Sequence, residues 1–170
     1  MGLLMVAAGG LVLLNRTNSK ARMEISVQPT VPLKTSIDPV DKRVNVKASF
    51  AIFTHGTFRV FTAVMYHNLS KDVYIEAASP NIIKVKKEGI TWNDFFSTLP
   101  FKLTDDCLTT GTKEIFCSNN VYALKFYLNG ERKSQILDQV IQEGDTLLIT
   151  YGNESEAAIE KQKQRVSSPW

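Results

Sequence analysis

Two cysteines, Cys107 and Cys117, lie ten positions apart in the stretch Cys107-Leu-Thr-Thr-Gly-Thr-Lys-Glu-Ile-Phe-Cys117, and the chain has no others. Gly111 sits near the middle, with polar residues around it and the apolar pair Ile115-Phe116 just before the second cysteine. That layout predicts a small hairpin stapled by a disulfide. Such a bond persists only in an oxidising compartment. The pair therefore constrains where the chain resides as well as how it folds. The alternatives are a redox-active pair and two free thiols. A Cys-x-x-Cys motif, the low-pKa turn of thioredoxin-like oxidoreductases, is absent.

The N-terminus points to the same compartment. Gly2 to Leu14 is wholly apolar or glycine. As a helix it would cover about 20 Å, against roughly 30 Å for the hydrocarbon core of a bilayer. It reads as a signal-like segment or a membrane anchor, the alternative being a buried core helix. Arg16, Lys20 and Arg22 follow the run and no basic residue precedes it. Taken alone, that flank would face the cytoplasm. Weighed with the cysteine pair, the expected location is extracytoplasmic and membrane-anchored. Glycosylation sequons at Asn15, Asn68 and Asn153 agree with export but are common by chance.

Organisation follows from composition. Residues 15–43 are polar, contain Pro29, Pro32 and Pro39, and show no sustained periodicity, as in a semi-rigid linker. Residues 44–152 read as one β-rich globular domain, and 153–170 as a polar, helix-prone tail. At 44% hydrophobic and 22% charged, the composition is ordinary for a globular protein. A net charge of +3 is too small to argue for nucleic acid.

Within the domain, Val44, Val46, Ala48, Phe50 and Ile52 alternate with smaller or polar residues, the period of a half-buried strand. His55-Gly56 reads as a turn, and Phe58, Val60, Thr62 and Val64 continue as a second strand. Shorter strands are predicted at Val73–Ala77 and Ile82–Val85, separated by Ser79-Pro80-Asn81. Thr91 and Asp94 form a capping-box pattern ahead of a short helix whose apolar face is Trp92, Phe95, Phe96 and Leu99, ended by Pro100. That face is expected on a sheet containing Phe50, Ile52, Phe126 and Leu148. Tyr122, Leu124, Phe126 and Leu128 alternate up to Asn129-Gly130, which suits a type I′ hairpin turn. Glu143-Gly144-Asp145 makes another turn before a buried strand, Leu147–Tyr151. This order predicts an α+β fold of β-grasp (ubiquitin-like) type, with one short helix on a mixed sheet. A small β-sandwich or barrel is the alternative.

A catalytic constellation is hard to assemble. Only His55 and His67 could serve a cysteine nucleophile, and both are expected on the surface. No two of these four residues stand at metal-ligand spacing, so neither metal nor cofactor is expected. Asp105-Asp106 reads as a solvated loop. Lys84, Lys86 and Lys87 read as a charged sheet face or edge, the alternative being an anion contact. A Gly-Asp turn before the last strand also raises a β-grasp sulfur carrier, but such carriers end in Gly-Gly, and here Gly152 is followed by a long tail.

Four segments carry a resemblance: Gly89-Ile-Thr-Trp-Asn-Asp-Phe-Phe96, the cysteine pair, Ala123-Leu-Lys-Phe-Tyr-Leu-Asn-Gly130 and Glu143-Gly-Asp-Thr-Leu-Leu-Ile-Thr-Tyr-Gly152. Together, over roughly residues 44–165, they resemble small membrane-anchored extracytoplasmic proteins of ammonia-oxidising archaea. Members are often called protein-disulfide isomerases, a name that implies thiol–disulfide chemistry at Cys107 and Cys117. Many members show His-x-His at the first strand and again before the short helix. Lys47 and Ser49, then Lys84 and Lys86, stand at those positions here. The resemblance therefore implies no metal set for this chain.

The expected function is that of a non-catalytic, membrane-tethered extracytoplasmic domain for protein binding or assembly, such as an accessory subunit of a membrane or cell-surface complex. A thiol–disulfide oxidoreductase or isomerase is the alternative. The membrane is engaged through the N-terminal segment, and a protein is the expected partner. Aromatic residues left outside the core, Tyr66, Tyr74, Tyr127 and Trp170, are candidates for its docking surface. For Tyr127 there is an equal rival: the C-terminal tail folds back over it through Ile159 and Val166.

Overall fold

The computed structural model describes residues 42–166. The N-terminal apolar run, nearly all of the Pro-containing linker and Trp170 lie outside the described residues. Strand β1 spans Arg43–Thr54 and turns through His55 and Gly56, both at positive φ (48° and 74°), into β2, Thr57–Arg59. A 3-10 turn at Val64–Tyr66 leads to β3 (Val73–Glu76) and β4 (Ser79–Lys87). Helix α1 covers Trp92–Thr98. Three short strands follow, β5 (Lys102–Leu103), β6 (Cys107–Thr109) and β7 (Ile115–Cys117). The chain continues with β8 (Ala123–Leu128), β9 (Glu131–Lys133), β10 (Thr146–Gly152) and helix α2 (Glu156–Lys163).

The fold is α+β. The main sheet runs β3-β4-β1-β10-β8-β9, with β2 also on β1, and β5-β6-β7 form a second, smaller sheet. The β1–β10 pair is parallel and the other pairs are antiparallel, so the main sheet is mixed. Both faces of its centre are covered. Phe50 and Ile52 of β1, Leu147 and Ile149 of β10, and Phe126 of β8 pack with Trp92, Phe95 and Phe96 of α1. Phe50 meets Phe95 and Phe96 edge-on, at ring distances of 5.2 and 5.8 Å, the arrangement that aromatic quadrupoles favour. The opposite face carries Ala51, Phe53, Leu148 and Tyr127 beneath Ile159 of α2. Burial on two faces explains why β10 reads as a nearly continuous apolar run.

Helix α1 starts as its capping box predicts. The Thr91 hydroxyl accepts from the Asp94 amide at 3.1 Å, and the Asp94 carboxylate accepts from the Thr91 amide at 2.8 Å. Its next two amides, which a helix leaves without intrahelical partners, donate to the carbonyls of Gln139 and Leu137 at 3.1 and 2.7 Å. The loop before β10 thus fixes the helix over the sheet.

Three expectations are corrected. Leu148 lies on the α2 face, while its neighbours Leu147 and Ile149 meet α1. Alternation fixes which residues share a face but not which face is which, and both faces here are apolar. The second strand ends at Arg59, well short of Val64, because β2 pairs with β1 only from Ile52 to Thr54. From Ser49 toward its start the same edge of β1 is taken by β4, so residues beyond Arg59 have no strand to pair with. The expected turn at Ser79-Pro80-Asn81 is part of β4, and the chain reverses instead at Ala77-Ala78. A register shift after Ile75 absorbs the irregularity, and the Asn81 side chain donates to the Phe50 carbonyl at 3.1 Å, in the gap between β2 and β4.

Candidate apolar cleft beside the disulfide hairpin

The two cysteines are joined, and they sit directly opposite each other on β6 and β7 with Cα atoms 4.1 Å apart. The Ser118 amide donates to the Asp106 carbonyl at 2.8 Å, just outside the pair. Cys107 and Cys117 therefore occupy a non-hydrogen-bonded position, where antiparallel backbones approach most closely. Alternation then sorts the hairpin's faces. Leu108 is buried and Phe116 rests 5.3 Å from the Tyr151 ring, so that face looks inward. Ile115, two residues before Cys117, is 68% exposed. The disulfide shares its outer face.

Between the tip of this hairpin and β2 lies a cleft of about 360 Å³. Ile52, Phe58, Phe61, Tyr66, Phe101 and Leu108 supply its apolar lining, with Thr57, Thr110 and Thr112 as polar edges. Gly111 at the tip comes close to the backbone after α1, because a Cβ there would stand 3.1 Å from the Pro100 carbonyl oxygen. Arg59 ties the two walls together. Its Nε donates to the Thr54 hydroxyl at 2.6 Å and its terminal nitrogen meets the Glu114 carboxylate at 3.4 Å. Its guanidinium also stands 5.3 Å from the centre of the Phe116 ring. Among the described residues that line the cleft, Arg59 is the one cation, and Glu114 pairs with it.

One side of the cleft carries exposed apolar side chains. Val60 and Met65, which line it, are 62% and 50% exposed, and Val64 between them is 86% exposed. Leu69, further along the loop, is exposed as well. Burying a side chain of this kind is worth about 1.5–3 kcal/mol, and this loop leaves several in water within one short stretch. Reading the sequence missed them because Val60 and Val64 fit an alternating strand. No local signal gives them away, because what they lack is a partner strand, and β4 already holds that edge of β1.

The named aromatic candidates disperse. Of the two readings of Tyr127, the structure shows cover by the tail: Tyr127 is 8% exposed, with Ile159 and Val166 packed in the same cluster and the Lys163 ammonium 4.8 Å from its ring centre. Tyr66 is half-buried, its ring 5.2 Å from Phe61, and it lines the cleft. Tyr74 is half-buried on β3, opposite Lys84. Of the basic strand end, Lys84 pairs with Glu76 at 2.6 Å and Lys86 bonds the Asn45 side chain.

One histidine is also corrected. His67 is buried, and its Nε2 lies 2.8 Å from the Phe61 carbonyl oxygen. A carbonyl only accepts, so Nε2 carries the proton and the ring holds the loop onto the core. His55 is exposed, with the rings of Tyr122 and Tyr151 edge-on at 4.8 and 5.0 Å. Asp105 and Asp106 are exposed and line a separate polar cleft of about 440 Å³ with Arg132 and Lys133. On the adjoining strand, the hydrogen bond and charge of Lys133 hold the exposed Glu131 carboxyl below its ordinary range.

Among the described residues, no group of three or more His, Cys, Asp or Glu side chains is placed to hold a metal ion. Nor is any helix among them long and apolar enough to cross a membrane. No family model matches the chain, and no curated protein or solved structure matches it.

Proposed function

We propose that this chain is a membrane-tethered extracytoplasmic domain of β-grasp type that binds a protein partner through the cleft between β2 and the disulfide hairpin. The observation that carries the reading is the exposed apolar side chains of Val60 and Met65 in the lining of an apolar cleft, with the exposed Val64 next to Met65 in the chain. Contiguous exposed apolar surface is where soluble domains meet partners. The tether rests on the apolar run Gly2–Leu14, and the compartment on the Cys107–Cys117 disulfide. The β-grasp assignment is supported by a parallel pair of first and last strands at the centre of the sheet, with α1 between the β4 and β8 arms.

A photo-crosslinking residue at position 64, in the chain inserted in its native membranes, tests this. A discrete protein adduct should form there and at position 60, should be lost on Met65→Asp, and should not form from position 138. Equal background labelling at positions 64 and 138 refutes the reading. The second reading, a thiol–disulfide oxidoreductase, is favoured by the disulfide's place on the hairpin's outer face. Turnover of insulin disulfides at a rate comparable to a thioredoxin would establish it. Stoichiometric reduction without turnover would exclude it.

A further inference from the structure

The hairpin that makes one wall of the cleft is short, its backbone ladder running only from the Ser118 amide on the Asp106 carbonyl at 2.8 Å to the Thr110 amide on the Glu114 carbonyl at 2.9 Å. β6 and β7 have three residues each, and β5, their only further partner in that sheet, has two. Isolated hairpins of this size are marginal in water. Inward contacts hold its base: Leu108 is buried, and the Cys117 carbonyl accepts from the Tyr151 hydroxyl at 3.1 Å. The tip, Thr110 to Glu114, has weaker ties. To the rest of the described fold these include the Arg59–Glu114 contact at 3.4 Å and the approach of Gly111 to Pro100 and Met65. The covalent link between Cys107 and Cys117 closes this segment into a ring. It lies across the strands' open ends, on the hairpin's outer face, with both cysteines half-buried.

We infer that the Cys107–Cys117 disulfide is a redox-sensitive latch on the apolar cleft: oxidised, it holds the wall formed by residues 108–116 against the loop 60–66, and reduced, it releases that wall. The reductant is a dithiol. One of its thiolates attacks a cysteine sulfur and forms a mixed disulfide, releasing the other cysteine as a thiolate that takes up a proton. The second thiol of the reductant then loses its proton and displaces the remaining cysteine. Two electrons pass to the chain, which ends with two thiols, and the dithiol ends as a disulfide. The inference concerns regulation of the site proposed above, and it rests on that cleft being the binding surface. In its oxidised form the cleft stays narrow and presents only its apolar mouth. Reduction widens it and exposes Phe61, Phe101 and Leu108.

Hydrogen exchange measured by mass spectrometry on the 170-residue chain in mild detergent, before and after reduction by dithiothreitol, decides the matter without any partner. Removing a ring closure of this length should raise exchange in residues 108–116 by up to about 100-fold. Within residues 60–66 the Tyr66 amide, which donates to the Ala63 carbonyl at 3.0 Å, should follow by at least about tenfold, since opening that wall uncovers Phe61 and Tyr66. The amides of β1 and β10 serve as the internal reference and should stay protected. The inference is overturned if thiol alkylation shows complete reduction while residues 60–66 exchange as before. It is equally overturned if β1 and β10 lose protection to the same degree, because the disulfide would then support the whole domain rather than one wall. The Cys107→Ser/Cys117→Ser variant should reproduce the reduced pattern in the absence of any reductant. Failure of the crosslinking at position 64 would leave the latch standing with a different use for the cleft. Failure of the exchange pattern would leave a binding cleft of fixed width.

Discussion

Replacing Glu154 by glutamine should cost this domain about 3 kcal/mol. The Lys125 ammonium lies 3.1 Å from Glu154 Oε2, and the two side chains are only 9% and 10% exposed. At that distance, with an effective dielectric near 20, their attraction is about 5 kcal/mol. Most of it offsets the cost of taking both charges out of water. Removing one partner leaves the other's desolvation uncompensated, which costs roughly 3–5 kcal/mol for buried pairs. The lower end applies here for two reasons. Lys125 keeps its bond to the Gly152 carbonyl at 3.1 Å, and a glutamine oxygen can still accept from the Gly56 amide, as Glu154 Oε1 does at 3.1 Å. A loss of about 3 kcal/mol changes the folded-to-unfolded ratio by roughly 150-fold and should lower Tm by about 10 °C for a domain of this size. Urea unfolding of the oxidised chain, followed by the fluorescence of the fully buried Trp92, measures it. Lys125→Met should cost a similar amount, and the double variant clearly less than the sum, with a coupling of at least about 1.5 kcal/mol. Single variants each losing under about 1 kcal/mol, with an additive double, would refute the reasoning and show that water screens the pair.

Gly152→Ala should break the same pair from the backbone side. A Cβ on Gly152 would stand 2.0 Å from Glu154 Oε1, and the residue's φ of 156° suits glycine. The expected loss is about 2–3 kcal/mol in the native background and about 1 kcal/mol once Glu154→Gln is present, measured by the same unfolding curves. Phe96→Ala, at a residue 2% exposed between α1 and the sheet, should cost about 3–5 kcal/mol in thermal or urea unfolding. A loss below about 1 kcal/mol would show that the helix does not anchor the core.

The local features were legible in the sequence wherever a few neighbouring residues settle the conformation. The capping box of Thr91 and Asp94 needs only a hydroxyl and a carboxylate three positions apart, and α1 starts there. Asn129-Gly130 turns because both residues accept positive φ, at 53° and 82°. The cysteine pair required only a short polar tip between two strands, and it is bonded as the spacing predicts. Alternation likewise marked β1 and β8, and a nearly continuous apolar run marked β10.

Long-range pairing was decided by the tertiary structure alone. Nothing within residues 57–64 states that β4 will occupy the edge of β1 that a longer second strand would need. Hence Val60 and Val64 read as strand positions of one face and stand in water. Leu147 and Leu148 are chemically alike, and which of them meets α1 follows from the parallel register of β1 and β10. For Tyr127 the sequence left exposure and cover by the C-terminal tail equally open, and α2, some thirty residues later in the chain, covers it. His67 showed no sign in its neighbours of the carbonyl that buries it. A local sequence fixes dihedral preferences and the period of its apolar residues. The identity of the surface that each face meets is a property of contacts between distant segments, and the cleft exists only where β2, the loop after it and the disulfide hairpin are brought together.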